Sequence, residues 1–227
     1  MQGKVIKIFS DFYYVQVENK ILECKLREVL KKPGLQVMVG DNVIIDSLNE
    51  ISNQGAISEV LERKNSLFRP AVANIDEIIL VISLKHPKTP LKNIDRYLTQ
   101  AKYFNIDVII CANKADLSSV AEQQEIKTVY EPLGYKIVFT SALNKTGLTE
   151  LKKYLKNNTS LFCGASGVGK TSLCNAIHES IDLKTGAVSK NFRGAHTTRH
   201  CEIISFDYEK RSFGKNKLRE LTYEERN

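Results

Sequence analysis

Residues Gly164-Ala165-Ser166-Gly167-Val168-Gly169-Lys170-Thr171 satisfy the pattern GxxxxGK[ST] at every fixed position. The pattern works only where a strand delivers a curled loop of inward-facing N–H groups to the N-terminus of a helix, so it dictates a β-loop-α unit. Both flanks suit that unit. Leu161-Phe162-Cys163 reads as a short strand, and Ser172-Leu173-Cys174-Asn175-Ala176-Ile177 reads as a helix start. In such a loop the glycines let the backbone wrap phosphate oxygens, Lys170 neutralises the β- and γ-phosphates, and the Thr171 hydroxyl coordinates Mg²⁺. A nucleoside triphosphate is the expected ligand.

The base follows from Asn113-Lys114-Ala115-Asp116, which comes directly after the apolar run Val108-Ile109-Ile110-Cys111-Ala112. A carboxylate at Asp116 accepts from both the ring N–H and the exocyclic amine of guanine, whereas adenine has no such donor pair on that edge. Asn113 would tie this loop to the phosphate loop, and the Lys114 stem would cover the base. NKxD alone is a weak pattern. Its weight comes from the phosphate loop and from Ser141-Ala142-Leu143 after the next strand, where a backbone N–H would meet the guanine carbonyl. Asp116 argues against the competing P-loop kinase or ATPase. The order of these motifs is unusual, since NKxD and SA precede the phosphate loop instead of following it. A parallel sheet accepts that order if the old termini are joined and the chain is opened elsewhere, because spatial neighbours are kept.

The segments around the motifs have two rhythms. Residues 1–66 carry short runs of strand formers, Val5–Phe9, Tyr13–Val17, Ile21–Leu26, Asp41–Asp46 and Gly55–Val60, separated by turn residues. Five short strands in so short a span predict a small closed barrel of the OB type, with an SH3-like barrel as the neighbouring alternative. Phe12, Tyr13 and Tyr14 either stack on RNA bases or serve as ordinary strand residues. Residues 67–227 alternate between strands and helices. Apolar runs at Ile78–Ile82, Val108–Ala112 and Lys136–Phe139 alternate with helical stripes at Leu91, Ile94, Leu98 and Ala101 and at Leu148, Leu151 and Leu155. Ser119 with Glu122 forms a candidate capping box, and Pro132 with Gly134 closes the helix it starts. The expected fold class is therefore an α/β P-loop domain over 67–227 behind an all-β barrel over 1–66.

Charge adds a partner class. Residues 151–227 carry 14 Lys/Arg against 8 Asp/Glu, which is nearly all of the net charge of +7. A basic C-terminal third suits an anionic partner, nucleotide or RNA. No apolar run approaches the roughly 20 residues of a membrane span, and the N-terminus lacks the apolar core of a signal peptide. The five cysteines are scattered without a CxxC pair, so no zinc site is legible from them and reduced cytosolic thiols are expected. A cytoplasmic monomer follows as the expectation.

After the loop helix, Gly194-Ala195-His196-Thr197-Thr198-Arg199-His200 has the character of a switch. Thr198, ahead of Thr197, is the expected second Mg²⁺ ligand, ordered when the γ-phosphate is present. His196 either orients the attacking water or has a structural role. Together with Lys170, Thr198 and His196 make up the expected catalytic set.

The barrel, NKAD, SAL, GASGVGKTSL and GAHTTRH, in that order, resemble the circularly permuted GTPases of small-ribosomal-subunit maturation, the RsgA family. The resemblance covers about residues 1–206. It implies a Mg²⁺-dependent GTPase that turns GTP into GDP and phosphate, is stimulated by the 30S subunit, acts late in its assembly and contacts its rRNA. It also implies that Asn113, Lys114, Ala115, Asp116, Ser141, Ala142 and the segment Gly164–Ser172 hold the nucleotide, and that His196 is the family's switch histidine. Two features depart from the pattern. No DxPG follows Cys201-Glu202-Ile203-Ile204-Ser205-Phe206, which reads as the strand leading toward it. The clustered Cys and His of the family's zinc domain are also not found. A guanine-nucleotide-dependent RNA-binding module with negligible turnover is the alternative function.

Overall fold

The computed structural model describes residues 1–30, 36–49, 53–68, 70–177, 203–207 and 217–222. The chain divides into two compact units, the first running from Met1 to Ile75 and the second beginning at Asp76.

In the first unit, β1 (Gln2–Phe9), β2 (Phe12–Val17), β3 (Lys20–Leu26), β4 (Asn42–Asn49) and β5 (Gln54–Val60) close a barrel in the order β1-β2-β3-β5-β4. Ser10 and Glu18 take positive φ between the first three strands, the geometry that tight hairpin turns require. The other pairings are antiparallel, but β3 and β5 run parallel with Cys24 opposite Gly55. That pairing order fits the OB-type barrel. Alternating residues point inward, and Val5, Val15, Leu22, Cys24, Val43, Ile45 and Ile57 form the barrel core. Beside it, Asp41 is fully buried, taking the Met38 N–H at 2.8 Å and Arg63 Nε and Nη2 at 2.7 and 2.8 Å. A hairpin of β6 (Ser66–Phe68) and β7 (Ala71–Ala73) follows. Strands of three residues carry too little periodicity to be expected from sequence.

The second unit alternates β8 (Glu77–Ser83), α1 (Leu91–Tyr103), β9 (Asp107–Asn113), α2 (Val120–Tyr130), β10 (Lys136–Phe139), α3 (Leu148–Leu155), β11 (Thr159–Cys163) and α4 (Lys170–Ile177). Then come β12 (Ile203–Asp207) and β13 (Lys217–Thr222). Sheet order is β10-β9-β8-β11-β13-β12, with β8, β9, β10, β11 and β13 in parallel register. β8 is buried along its whole length, and each of Ile78, Ile79, Leu80, Val81 and Ile82 contributes about 1.5–3 kcal/mol by leaving water. α1 buries Ile94, Leu98 and Ala101, and α3 buries Leu148, Leu151 and Leu155, the stripes read from the sequence. Both halves of the Ser119–Glu122 capping box form, and Gly134 turns left-handed (φ 88°) after Leu133.

The C-terminal strands differ from expectation. The strand read at 201–206 spans Ile203–Asp207 and lies at the sheet edge, while β13 takes the place beside β11, with Thr159 opposite Arg219. The strand adjoining the phosphate-loop strand is thus one that the motif reading did not foresee. No helix among the described residues is long and apolar enough to cross a membrane.

Candidate functional site

In a parallel sheet the loops at the carboxyl ends of neighbouring strands share one edge, and that edge is where α/β proteins bind ligands. Here β9 ends at Asn113, β10 at Phe139 and β11 at Cys163. The three motif segments therefore meet, although 113 and 164 are far apart in sequence.

The phosphate loop has the backbone its glycines allow. Gly164, Gly167 and Gly169 take φ of 144°, 83° and 95°. At Gly164 a Cβ would overlap the Val81 carbonyl of β8, and at Gly169 it would press on the Asn113 amide. Glycine at these two positions is thus required by both conformation and space. Val168 is buried and anchors the loop, while Ser166 and Gly167 are exposed at its tip. α4 begins at Lys170, whose side chain is 3% exposed. Its Nζ donates to the carbonyls of Gly164 and Ala165, both at 2.9 Å. The ammonium thus lies folded over the loop, neutralised by carbonyl dipoles. Thr171 is half-buried at the first turn of α4 and Ser172 is exposed beside it.

Asn113 joins all three segments. It is 2% exposed, and its Nδ2 donates to the Val168 carbonyl at 2.9 Å. Its Oδ1 accepts from the Ala142 N–H at 3.2 Å and from Thr140 Oγ at 3.3 Å. Lys114 takes a left-handed conformation (φ 60°), which sends its side chain back across the loop. Lys114 Nζ donates to Gly167 O at 2.7 Å and to His86 O at 2.6 Å. Asp116 is exposed on the short 3-10 turn Ala115–Leu117, so its carboxylate is open to a ligand. The Ala115 N–H donates to Thr140 O at 2.9 Å. Ser141 is buried, exchanges backbone hydrogen bonds with Thr146, and accepts the Asn144 N–H on its Oγ at 3.1 Å.

Several participants carried no motif signal. Thr140 bonds Asn113, lies 3.3 Å from Cys111 Sγ, and receives Ala115 on its carbonyl. Burial of Cys111 pushes its thiol up to about 12, with the Thr140 contact opposing. The β8–α1 connection supplies the His86 carbonyl, and Lys85 in that connection pairs with Glu122 Oε1 at 2.8 Å. Hydrogen bonding from Lys85 and then from Ser119 holds the Glu122 carboxyl down to about 2. A Thr immediately before Ser-Ala is the one signal that could have marked Thr140. The carbonyls of His86 and Val168 have none, since every residue carries one.

Thr198 and His196, with Thr197, lie outside the described residues. Among the described residues no group of three His, Cys, Asp or Glu side chains could hold a metal ion, and Cys24, Cys111, Cys163 and Cys174 are buried and in no disulfide. The site's chemistry nevertheless suits a phosphate-borne Mg²⁺, which takes few protein ligands and relies on phosphate oxygens and water. Thr171 offers one hydroxyl at the right end of the loop.

Comparison with known proteins agrees with this geometry. Residues 60–211 match the RsgA GTPase family model, and residues 2–57 match the RsgA N-terminal domain. The small ribosomal subunit biogenesis GTPase RsgA of Alkaliphilus metalliredigens is 43% identical over 209 residues, covering 92% of this chain and 72% of that protein. Its counterpart in Caldanaerobacter subterraneus is 40% identical over 209 residues, covering 92% and 70%. Among solved structures, YjeQ from Thermotoga maritima superposes with a TM-score of 0.77 at 32% identity, covering 97% of this chain and 73% of that one. The circularly permuted GTPase YloQ superposes with a TM-score of 0.68 at 32% identity, covering 89% and 67%.

Proposed function

The chain belongs to the RsgA family of circularly permuted GTPases, and we propose that it hydrolyses GTP to GDP and phosphate as a timing step in late maturation of the small ribosomal subunit. The observation that carries this reading is the Asn113 side chain, which bonds the phosphate loop at Val168 and the SA loop at Ala142. One residue thereby fixes the distance between the guanine-reading and phosphate-holding segments.

In this reading Asp116 accepts the two guanine donors, the Lys114 stem covers the base, and a backbone N–H of the Ser141-Ala142 turn meets the guanine carbonyl. Lys170 leaves the carbonyls of Gly164 and Ala165 for the β- and γ-phosphates. Those phosphates are also wrapped by the backbone from Gly164 to Ser172. Thr171 and Thr198 would hold Mg²⁺, which would supply positive charge to the polyphosphate. Water attacks the γ-phosphorus, the bond to the bridging oxygen breaks, and GDP departs with that electron pair. His196 orients the water. The small subunit and its rRNA are the partners, stimulation of turnover by the subunit is the regulatory property, and the cytoplasm is the compartment.

The test is GTP turnover by this 227-residue chain, with and without purified small ribosomal subunits. Stimulation by the subunits, with GTP preferred over ATP, is the expected result. Equal affinity for ATP and GTP, or GTP binding without any turnover in either condition, would overturn the reading.

A further inference from the structure

At the amino ends of the same strands, opposite the nucleotide loops, the second unit holds a cavity of about 510 Å³. Its lysines come from separate elements. Lys102 ends α1, Lys136 starts β10, Lys153 lies on α3 and Lys156 just beyond it. All four are exposed at the rim. Only two acidic residues stand against them in the lining, Glu77 and Asp107, so the cleft carries an excess of positive charge. Glu77 is 6% exposed and receives Ser160 Oγ on Oε1 at 2.7 Å. Tyr154 lines the same cleft, with Lys136 Nζ 5.2 Å from the centre of its ring.

We propose that this cleft is a single-stranded RNA site, in which the four lysines take consecutive phosphates and one unstacked base lies against Tyr154. The volume fits one nucleotide, and a concave pocket with a ring on its wall suits a splayed-out base. A ring already bearing a lysine offers both stacking and charge to a nucleotide. The exposed Asp107 carboxylate accepts from a ribose hydroxyl or a base amine. β8 has seven residues, so a sheet about 20 Å long separates this cleft from the phosphate loop, and the two sites do not compete. The choice of RNA rests on the ribosomal reading above.

The probe is a short fluorescein-labelled single-stranded oligoribonucleotide, followed by anisotropy across a range of KCl concentrations with the whole chain. The K136E/K153E variant, altered only at exposed side chains, is expected to bind at least tenfold more weakly. Its log-log salt slope should fall by about 1.4, at about 0.7 per lost phosphate contact. Its GDP affinity stays at the wild-type value. Photocrosslinking should map to the peptide carrying Tyr154. If that variant does not fold, K102E/K156E carries the same test. An unchanged affinity and slope, or crosslinks confined to other peptides, would overturn the proposal. Displacement of the probe by millimolar GMP would do so as well, by identifying a free mononucleotide as the occupant. Loss of guanine-nucleotide turnover in the wild type is a separate result and bears on the GTPase reading alone.

Discussion

The Asn113 side-chain amide donates to the Val168 carbonyl at 2.9 Å, across 55 positions of sequence. That bond, with the one from the Ala142 N–H to the Asn113 oxygen, couples the loop after β9 to the phosphate loop and the loop after β10. Asn113 is buried, so its removal leaves a carbonyl and an N–H without their partner.

Asn113→Ala is expected to weaken GDP and GTP binding together, by about 10- to 100-fold, because unsatisfied buried groups cost about 1–3 kcal/mol. Asp116→Asn is different in kind. It replaces an acceptor with a group that also donates, so guanine is rejected and xanthine, with a carbonyl in place of the amine, is gained. Titration of fluorescent GDP and XDP against both variants checks this. An Asp116→Asn protein with undiminished guanine preference would contradict the role of that carboxylate.

Lys170→Ala removes the ammonium now held by Gly164 and Ala165. Triphosphate affinity and turnover should fall at least about 100-fold, the scale seen when a preorganised donor to developing charge is removed. Triphosphate binding should suffer more than nucleoside binding, which calorimetry with GTP and guanosine would separate.

Glu77 gives the fold a pH signature. Burial, the largest cause, raises its carboxyl above the ordinary range, with Ser160 and Asn158 opposing and Asp76 and Asp107 adding to the rise. A carboxyl with a raised folded-state value takes up a proton on folding. Its contribution to stability is therefore full below the unfolded value near 4.5 and is lost as pH rises through the folded one. Glu77→Gln keeps an acceptor for Ser160 and cannot ionise. Urea melts of the two proteins should diverge above pH 4.5, with the variant increasingly the more stable as pH rises. Parallel curves from pH 4 to 8 would contradict the burial argument.

Asp41 and Arg63 form a buried pair, with Asp41 fully shielded and Arg63 24% exposed. Asp41→Ala should destabilise the first unit by about 3–5 kcal/mol, since it strands the guanidinium and the Met38 N–H. Replacing both partners, as in D41L/R63M, should cost much less. Denaturant melts followed by a barrel-specific signal would show a double-mutant coupling, and additive losses would contradict it.

The elements were legible from sequence wherever burial imposes a period. The barrel strands, the apolar runs within β8 and β9, and the stripes of α1 and α3 fall where spacing placed them, and Ser119 with Glu122 closes the cap its residues encode. The three-residue β6 and β7 and the strand β13 were not read, because so few residues do not establish a repeat and the surrounding polar sequence resembles a loop. Thr140 was missed for another reason. A lone buried threonine gives no local signal, and its importance comes from Asn113 and Ala115, which the sheet brings to it.

The sequence alone determined the chemistry on offer: a glycine-rich phosphate loop, a carboxylate for a guanine edge, and the alternation that makes one part a barrel and the other a layered sheet. Those properties reside in side-chain type and short-range spacing, where sterics and hydrophobic period act. Tertiary structure decided the rest. It brought the Val168 and Gly167 carbonyls to Asn113 and Lys114, ran β3 parallel to β5 to close the barrel, set β13 beside β11, and gathered four lysines around one cleft. Backbone carbonyls look alike in every sequence, and strand order depends on the pairing of distant segments, so only the folded chain distinguishes them.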